Sequence, residues 1–271
     1  MTRRRAALAL ALLALAGCGG KPDPKSAKGP AATATPAPRT DAASMAARAN
    51  VPVLCWHQIR SATGADSARD RAYIVSPKAL AEQLEALDRA GYHPVTGESL
   101  VAHVAIGKPL PPKPVLLTFD DASAGQYTRA VPLLRRHRFV ATFFVMSVVL
   151  DKPGWMTSAQ VKRLARGGMT IAAHTYDHHL VPEYAGEDWD TQLLGPQAKL
   201  SKLIGHHVRL FAYPSGLWNR EAFAHLDAAG YVAAFQLADK LDRRDPLWTL
   251  RRIIVPELSG PDLLRAIRND F

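Results

Sequence analysis

The sequence predicts an α/β fold, a closed or nearly closed barrel of about seven strands, and three observations predict it. Short apolar runs alternate with amphipathic stretches from Val51 to Phe235. The runs are apolar throughout rather than every second residue, as in parallel strands covered on both faces. About seven such runs occur, which favours a closed or nearly closed barrel over an open sheet, and several end abruptly on polar residues, as barrel strands do at the rim that carries function.

Each element follows in order. Val51 to Trp56 reads as a strand that delivers His57 at its tip. Ser76 is the N-cap of a helix that Pro77 opens and Gly91 ends, with Leu80, Leu84 and Leu87 as its apolar stripe. Tyr92 to Val95 is a short strand and Glu98 to Ile106 a helix. Strands at Val115 to Phe119, Val140 to Met146, Met169 to Ala173, Val208 to Ala212 and Tyr231 to Phe235 then alternate with helices at Tyr127 to His137, Ser158 to Arg166, Trp189 to Ile204 and Asn219 to Ala229. Arg251-Arg252 begins another strand, where either arginine could pair with a site carboxylate or remain solvated.

The amino terminus is set apart from this pattern. Residues 1–17 carry Arg3-Arg4-Arg5 ahead of an apolar stretch too short to span a bilayer, which reads as an export signal. Leu15-Ala16-Gly17-Cys18 resembles the lipobox of bacterial lipoproteins, so Cys18 is expected to be lipidated and to hold the protein on the extracytoplasmic face of the bacterial membrane. Residues 18–50 are rich in Ala, Pro, Thr and Lys and are expected to be a disordered tether, because they bury too little apolar surface to offset chain entropy. Residues 51–271 form the single folded domain. With Cys18 assigned, Cys55 has no partner for a disulfide.

The formal charge of +10 is misleading as a partner signal. Residues 1–50 hold eight Arg or Lys against two Asp, a net of +6, which leaves about +4 on the folded part. No basic run interleaved with aromatics occurs, so nucleic acid is excluded as a partner.

Chemistry concentrates at two strand ends. Asp120-Asp121 closes the run Val115 to Phe119, and His174-Thr175-Tyr176-Asp177-His178-His179 closes another. Paired carboxylates with imidazoles suit a borderline divalent ion, with one carboxylate ligating and the other taking a proton from water. His57 and the Tyr213-Pro214-Ser215-Gly216 turn fall at the same rim. Trp218, just after that turn, is the best of the tryptophans for substrate contact.

Three of these segments resemble, in order, the motifs of the polysaccharide deacetylase family, also called the NodB-homology or carbohydrate esterase 4 family: Thr118-Phe119-Asp120-Asp121, His174-Thr175-Tyr176-Asp177-His178, and Phe211-Ala212-Tyr213-Pro214-Ser215-Gly216. Val51 to His57 is similar to the opening of the subgroup containing poly-N-acetylglucosamine deacetylases. The resemblance implies a distorted (β/α)7-type barrel and a metal-dependent, monomeric hydrolase that removes N-acetyl groups from an N-acetylglucosamine polymer at the cell envelope. It implies Asp120 as general base, Asp121, His174 and His178 as ligands of a divalent metal, usually zinc, and the backbone near Ser215 as support for the oxyanion. His179 is the alternative second imidazole ligand. The chain departs from the family pattern at three points: Ala122 stands where Gly is common, Ala212 where an arginine usually holds the base aspartate, and no histidine after His225 supplies the late general acid, for which His57 is the candidate. An O-acetyl polysaccharide esterase and a non-catalytic glycan-binding lipoprotein are the alternatives.

Overall fold

A computed structural model describes residues 40–271. The export signal and the Cys18 lipidation expectation therefore lie outside the described residues. The elements run α1 (Ala42–Arg48), β1 (Val53–Trp56), β2 (Gln58–Ile59), α2 (Ala68–Arg71), β3 (Ile74–Val75), α3 (Pro77–Arg89), β4 (His93–Pro94), α4 (Gly97–Ile106), β5 (Pro114–Asp120), α5 (Val131–Arg136), β6 (Thr142–Val145), α6 (Ser158–Arg166), β7 (Thr170–Ala173), α7 (Gly195–Ile204), β8 (Leu210–Ala212), α8 (Glu221–Ala228), β9 (Ala233–Phe235), β10 (Ile253–Ile254) and α9 (Gly260–Asp270). A π-helical turn precedes α5 (Gln126–Ala130) and another precedes α7 (Asp190–Leu194).

Eight strands form one parallel sheet in the order β10-β1-β5-β6-β7-β8-β9, with β4 added beside β5, and β2 and β3 pair in a separate two-stranded parallel sheet. The sheet curls until its two edges share a single connecting segment. Leu250 bridges Phe235 of β9, and three residues later Ile253 pairs with Leu54 of β1. That is the nearly closed barrel the alternating apolar runs predict.

Period-two geometry separates the two faces of this sheet. Leu54, Trp56, Leu117, Phe119, Phe143 and Val145 point outward into the larger core, under the surrounding helices. Trp56, Phe119 and Phe143 stack in a row there, with ring centroids 5.5 and 5.1 Å apart. Val53, Leu116, Phe144, Ala172, Leu210, Ala212 and Phe235 point inward with residues of α4. Thr118 and Asp120 continue the inward row of β5, and His174 that of β7, so strand alternation alone turns these polar groups into the barrel.

Three parts of the chain differ from expectation, one being the short elements β2, α2 and β3, which the sequence reading did not include. The tether does not extend to residue 50: α1 is capped by the Asp41 carboxylate, which accepts from the Ser44 amide, and it docks on α4. Arg48 donates from Nε and Nη2 to the Val104 carbonyl at 3.0 and 2.7 Å, and the Thr40 hydroxyl donates to the Ala105 carbonyl at 2.6 Å. Satisfying carbonyls at the end of α4 is what orders a segment with little apolar surface of its own. The third difference is α9, which the strand count overlooked. It packs on α3 with Gly260 so close that a Cβ there would meet the Cβ of Ala86 at 2.6 Å.

Candidate active site

The register of the sheet brings the two polar strand ends to one level. Asp120 pairs with Phe144, and Phe144 with Ala172, two residues before His174. His57 follows Trp56, whose partner is Phe119, so it stands level with Asp120. An open cavity of roughly 200 Å³ lies over these residues, lined by His57, Asp120, Asp121, His174, His178, Tyr213 and Ser215 and, from the segment between β1 and β3, by Gln58, Arg69 and Tyr73.

Asp120 is almost wholly buried, and both its oxygens are taken. Arg252 Nη1 donates to Oδ1 at 2.6 Å and Nη2 to Oδ2 at 2.8 Å. Arg252 is itself fully buried, donates Nε to the Gln236 carbonyl at 3.0 Å, and lies over the Phe144 ring. Burial alone would raise the Asp120 carboxyl, but Arg252 and His174 outweigh it and hold the group below the ordinary carboxylate range. This answers the departure at Ala212: the guanidinium that holds Asp120 arrives from residue 252, just ahead of β10.

Asp121 behaves in the opposite way. Burial, and then the neighbouring Asp120 charge, push it up to about 7. Its buried Oδ1 has no hydrogen-bond partner. That oxygen lies 3.5 Å from His174 Nε2 and 3.9 Å from His178 Nε2. His174 Nδ1 carries its proton, because it donates to the Ala212 carbonyl at 2.8 Å, so Nε2 presents a lone pair. Burial depresses the His174 pKa to about 3 and lowers that of His178, which favours neutral rings. An orphaned carboxylate oxygen and imidazole nitrogens converge within 4.8 Å of one another, which is a donor set a divalent cation satisfies and the protein's own hydrogens do not.

Cys55, His57 and Asp120 form a second close group, but it does not suit an ion. Arg252 occupies both oxygens of Asp120, and burial pushes the Cys55 thiol well up, away from the thiolate a metal needs. Cys55 Sγ instead sits 4.0 Å from His57 Nδ1. His57 Nε2 stands 3.9 Å from Asp120 Oδ2, and burial depresses its pKa to about 4 against the pull of Asp120.

The backbone at the site is strained. Asp121, Ala122, Thr175, His178 and Ser215 all have positive φ, between 56° and 77°, conformations that cost non-glycine residues of order 1–3 kcal/mol each and that concentrate at working sites. Ala122, at φ 70°, occupies the position where glycine would sit without strain. At His178 the turn swings the ring back so that it meets His174 edge-on at 4.9 Å.

One alternative falls away here and one expectation is corrected. His179 points away, with Nε2 3.6 Å from Glu183 and its ring against Tyr184, so the second imidazole of the cluster is His178. Trp218 does not line the cavity. It stacks on Phe223 and donates Nε1 to Gln236 at 3.3 Å. Tyr213 reaches the wall but spends its hydroxyl on the Trp248 carbonyl at 3.0 Å. Ser215 also lines the wall, and the neighbouring amides of Tyr213, Gly216 and Leu217 are committed to backbone carbonyls.

A curled parallel barrel with a carboxylate and imidazole cluster at its strand ends defines the class as a metal-assisted hydrolase. Comparison with known proteins agrees with that class. Residues 107–234 match the family described as polysaccharide deacetylase. A Bacillus subtilis (strain 168) protein of the same description is 25% identical over 214 residues, 78% of this chain and 74% of that protein. The poly-beta-1,6-N-acetyl-D-glucosamine N-deacetylase of Escherichia coli (strain K12) is 26% identical over 246 residues, covering 74% of this chain, although the chain spans only 36% of that enzyme's length. The structure of a Streptococcus pyogenes deacetylase in complex with acetate superposes with a TM-score of 0.72 over 80% of this chain and 97% of that one, at 24% identity. Over residues 107–234 the chain is similar to the polysaccharide deacetylase family, and it shares that family's fold.

Proposed function

We propose that the protein removes N-acetyl groups from an N-acetylglucosamine-containing polysaccharide by hydrolysis, with a divalent ion, zinc in the first instance, held by Asp121, His174 and His178. The observation that carries the reading is the division of labour between adjacent carboxylates. Asp120 is locked by Arg252 as an ionised base, and Asp121 faces two imidazole lone pairs with a bare oxygen. The names of the relatives support the substrate class.

When bound, the ion supplies Lewis-acid polarisation and lowers the pKa of water. The chain's residues do the rest. Asp120 accepts a proton from the attacking water as its oxygen bonds to the acetyl carbon. The Ser215 backbone amide, with no partner among the described residues, is the turn's free donor for the oxyanion. His57, on the cavity wall beside Asp120, relays a proton to the nitrogen as the carbon–nitrogen bond breaks, so acetate leaves and a free amine remains on the sugar.

One observation favours a second reading. The depressed pKa of His57 leaves its ring mostly neutral and short of a proton to donate, and an O-acetyl ester, whose leaving group needs less protonation, would tolerate that. Acetate release from tetra-N-acetylglucosamine and from O-acetylated xylan by the zinc-loaded domain decides between them. Release from the amino-sugar oligomer supports the proposal, release from xylan alone replaces it with the esterase, and release from neither sinks both. We further propose that the domain works at the cell envelope through a lipid on Cys18. Metabolic labelling with a palmitate analogue should mark the full chain and not the Cys18→Ala variant, and an unlabelled wild-type chain would remove the anchor.

A further inference from the structure

The segment linking β2 to β3 overhangs the cavity, and its charged groups are almost all engaged with one another. Arg60 donates Nη1 and Nη2 to the Asp66 carboxylate at 2.9 and 2.6 Å and Nε to Gln58 at 2.7 Å. Asp66 also accepts from the Thr63 amide at 2.6 Å. Arg71 donates to the Thr63 carbonyl at 2.7 Å and to the Asp66 carbonyl at 3.3 Å. Ser67 and Asp70 exchange the reciprocal bonds of a capping box. These bonds hold the segment in one shape without the help of a large apolar core.

Arg69 is the exception. It makes no hydrogen bond or ion pair among the described residues, yet its side chain lines the cavity alongside His57 and Tyr73, whose rings meet edge-on at 4.9 Å. The acidic residues on the cavity wall are Asp120 and Asp121. Arg252 already neutralises the first, and the second belongs to the carboxylate and imidazole cluster. The rim therefore carries an exposed guanidinium with no bonded partner, presented by a segment whose other charged groups are each held by hydrogen bonds. Holding an uncompensated cation at a site mouth favours ligands that bring the missing anion.

We propose that Arg69 forms a subsite for an anionic substituent, a carboxylate or a phosphate, borne by the polysaccharide next to the acetylated residue. The inference rests on the proposed deacetylase reading and narrows its substrate to acidic amino-sugar polymers. A guanidinium suits the task because its planar fork donates two parallel hydrogen bonds to either oxyanion, which a lysine ammonium does not.

The test is calorimetric binding of three tetramers to the zinc-loaded protein at low salt: neutral tetra-N-acetylglucosamine, the same tetramer with one residue oxidised to the 6-carboxylate, and the same tetramer with one 6-phosphate. Both acidic tetramers are expected to bind about fivefold to tenfold more tightly than the neutral one, with the advantage shrinking as salt screens the pair. The tighter of the two identifies the anion. Arg69→Gln should bring the acidic tetramers close to the neutral one, and Arg69→Lys should recover only part of the difference. Equal dissociation constants for all three tetramers, an Arg69→Gln variant weakened equally towards all three, or no binding of any tetramer would overturn the subsite. Acetate release is measured separately. Tetramers that bind without losing acetate would defeat the deacetylase reading, while the binding comparison still judges Arg69.

Discussion

The inner wall of the cavity and its overhanging rim are both organised by an arginine bound to an aspartate, and the two pairs do different things. Arg252 and Asp120 meet inside the barrel, both almost wholly buried. Arg60 and Asp66 meet near the surface, with the same two-pronged geometry. Burial makes the difference. In the interior each partner is a liability without the other, whereas at the rim water can replace either one, so the pair shapes a loop without being required for the fold.

Replacing Arg252 tests the inner wall most severely. Arg252→Met should cost about 3–5 kcal/mol by stranding a buried carboxylate, read from denaturant unfolding, and should lower kcat about a hundredfold or more by freeing the base. The pH dependence identifies the cause. In the parent, the depressed Asp120 pKa contributes stability above the unfolded carboxylate range that is lost as pH falls through the folded value. In the variant, burial dominates and raises that pKa, so the carboxyl opposes folding as pH rises above about 4. The gap between the two proteins should therefore widen from pH 3.5 to pH 7. A gap independent of pH would mean that packing, not charge, was lost.

The metal cluster comes next. His178→Ala should weaken zinc binding by more than the roughly 10–100-fold typical of changes behind the ligands, while His179→Ala should leave it unchanged, both measured by competition with a chromogenic chelator. Equal losses would reinstate His179. Because Asp121 must shed its proton to ligate and is pushed up to about 7, zinc affinity should fall with decreasing pH below that value by up to about tenfold per unit.

At the rim, Arg60→Ala should raise KM a few fold and leave the unfolding midpoint where it is. A large loss of stability would make the rim as structural as the wall. The smallest effect is expected at Ala122→Gly, which relieves a positive φ and should stabilise the protein by about 1 kcal/mol. No gain would show that the surrounding turn already absorbs the strain.

Much of the active site was legible along the chain because its parts end strands. Asp120 and His174 continue the alternation of apolar runs, which settles the face each takes, and Asp121 and His178 follow them in the adjoining turns. Arg252 was legible only as one member of an arginine pair, since nothing local distinguishes a residue reaching across a barrel from a solvated neighbour. Between His178 and His179 the spacing left a choice that the positive φ at His178 resolves. Trp218 followed the motif turn so directly that proximity in sequence suggested contact, yet Phe223 and Gln236 claim it. The helix α9 carried an available signal, Ser259 as N-cap ahead of Pro261 with Leu263 and Ile267 on one face, whereas the docking of α1 rests on carbonyls of α4 far away in sequence.

From composition and period alone came the barrel, the order of its main helices and strands, and the residue types able to bind an ion and move a proton, because backbone periodicity and ligand chemistry are local properties. Tertiary structure alone decided which guanidinium fixes the base, which imidazole completes the cluster and which arginine faces the cavity, because each depends on distances between residues that only closure of the sheet brings together.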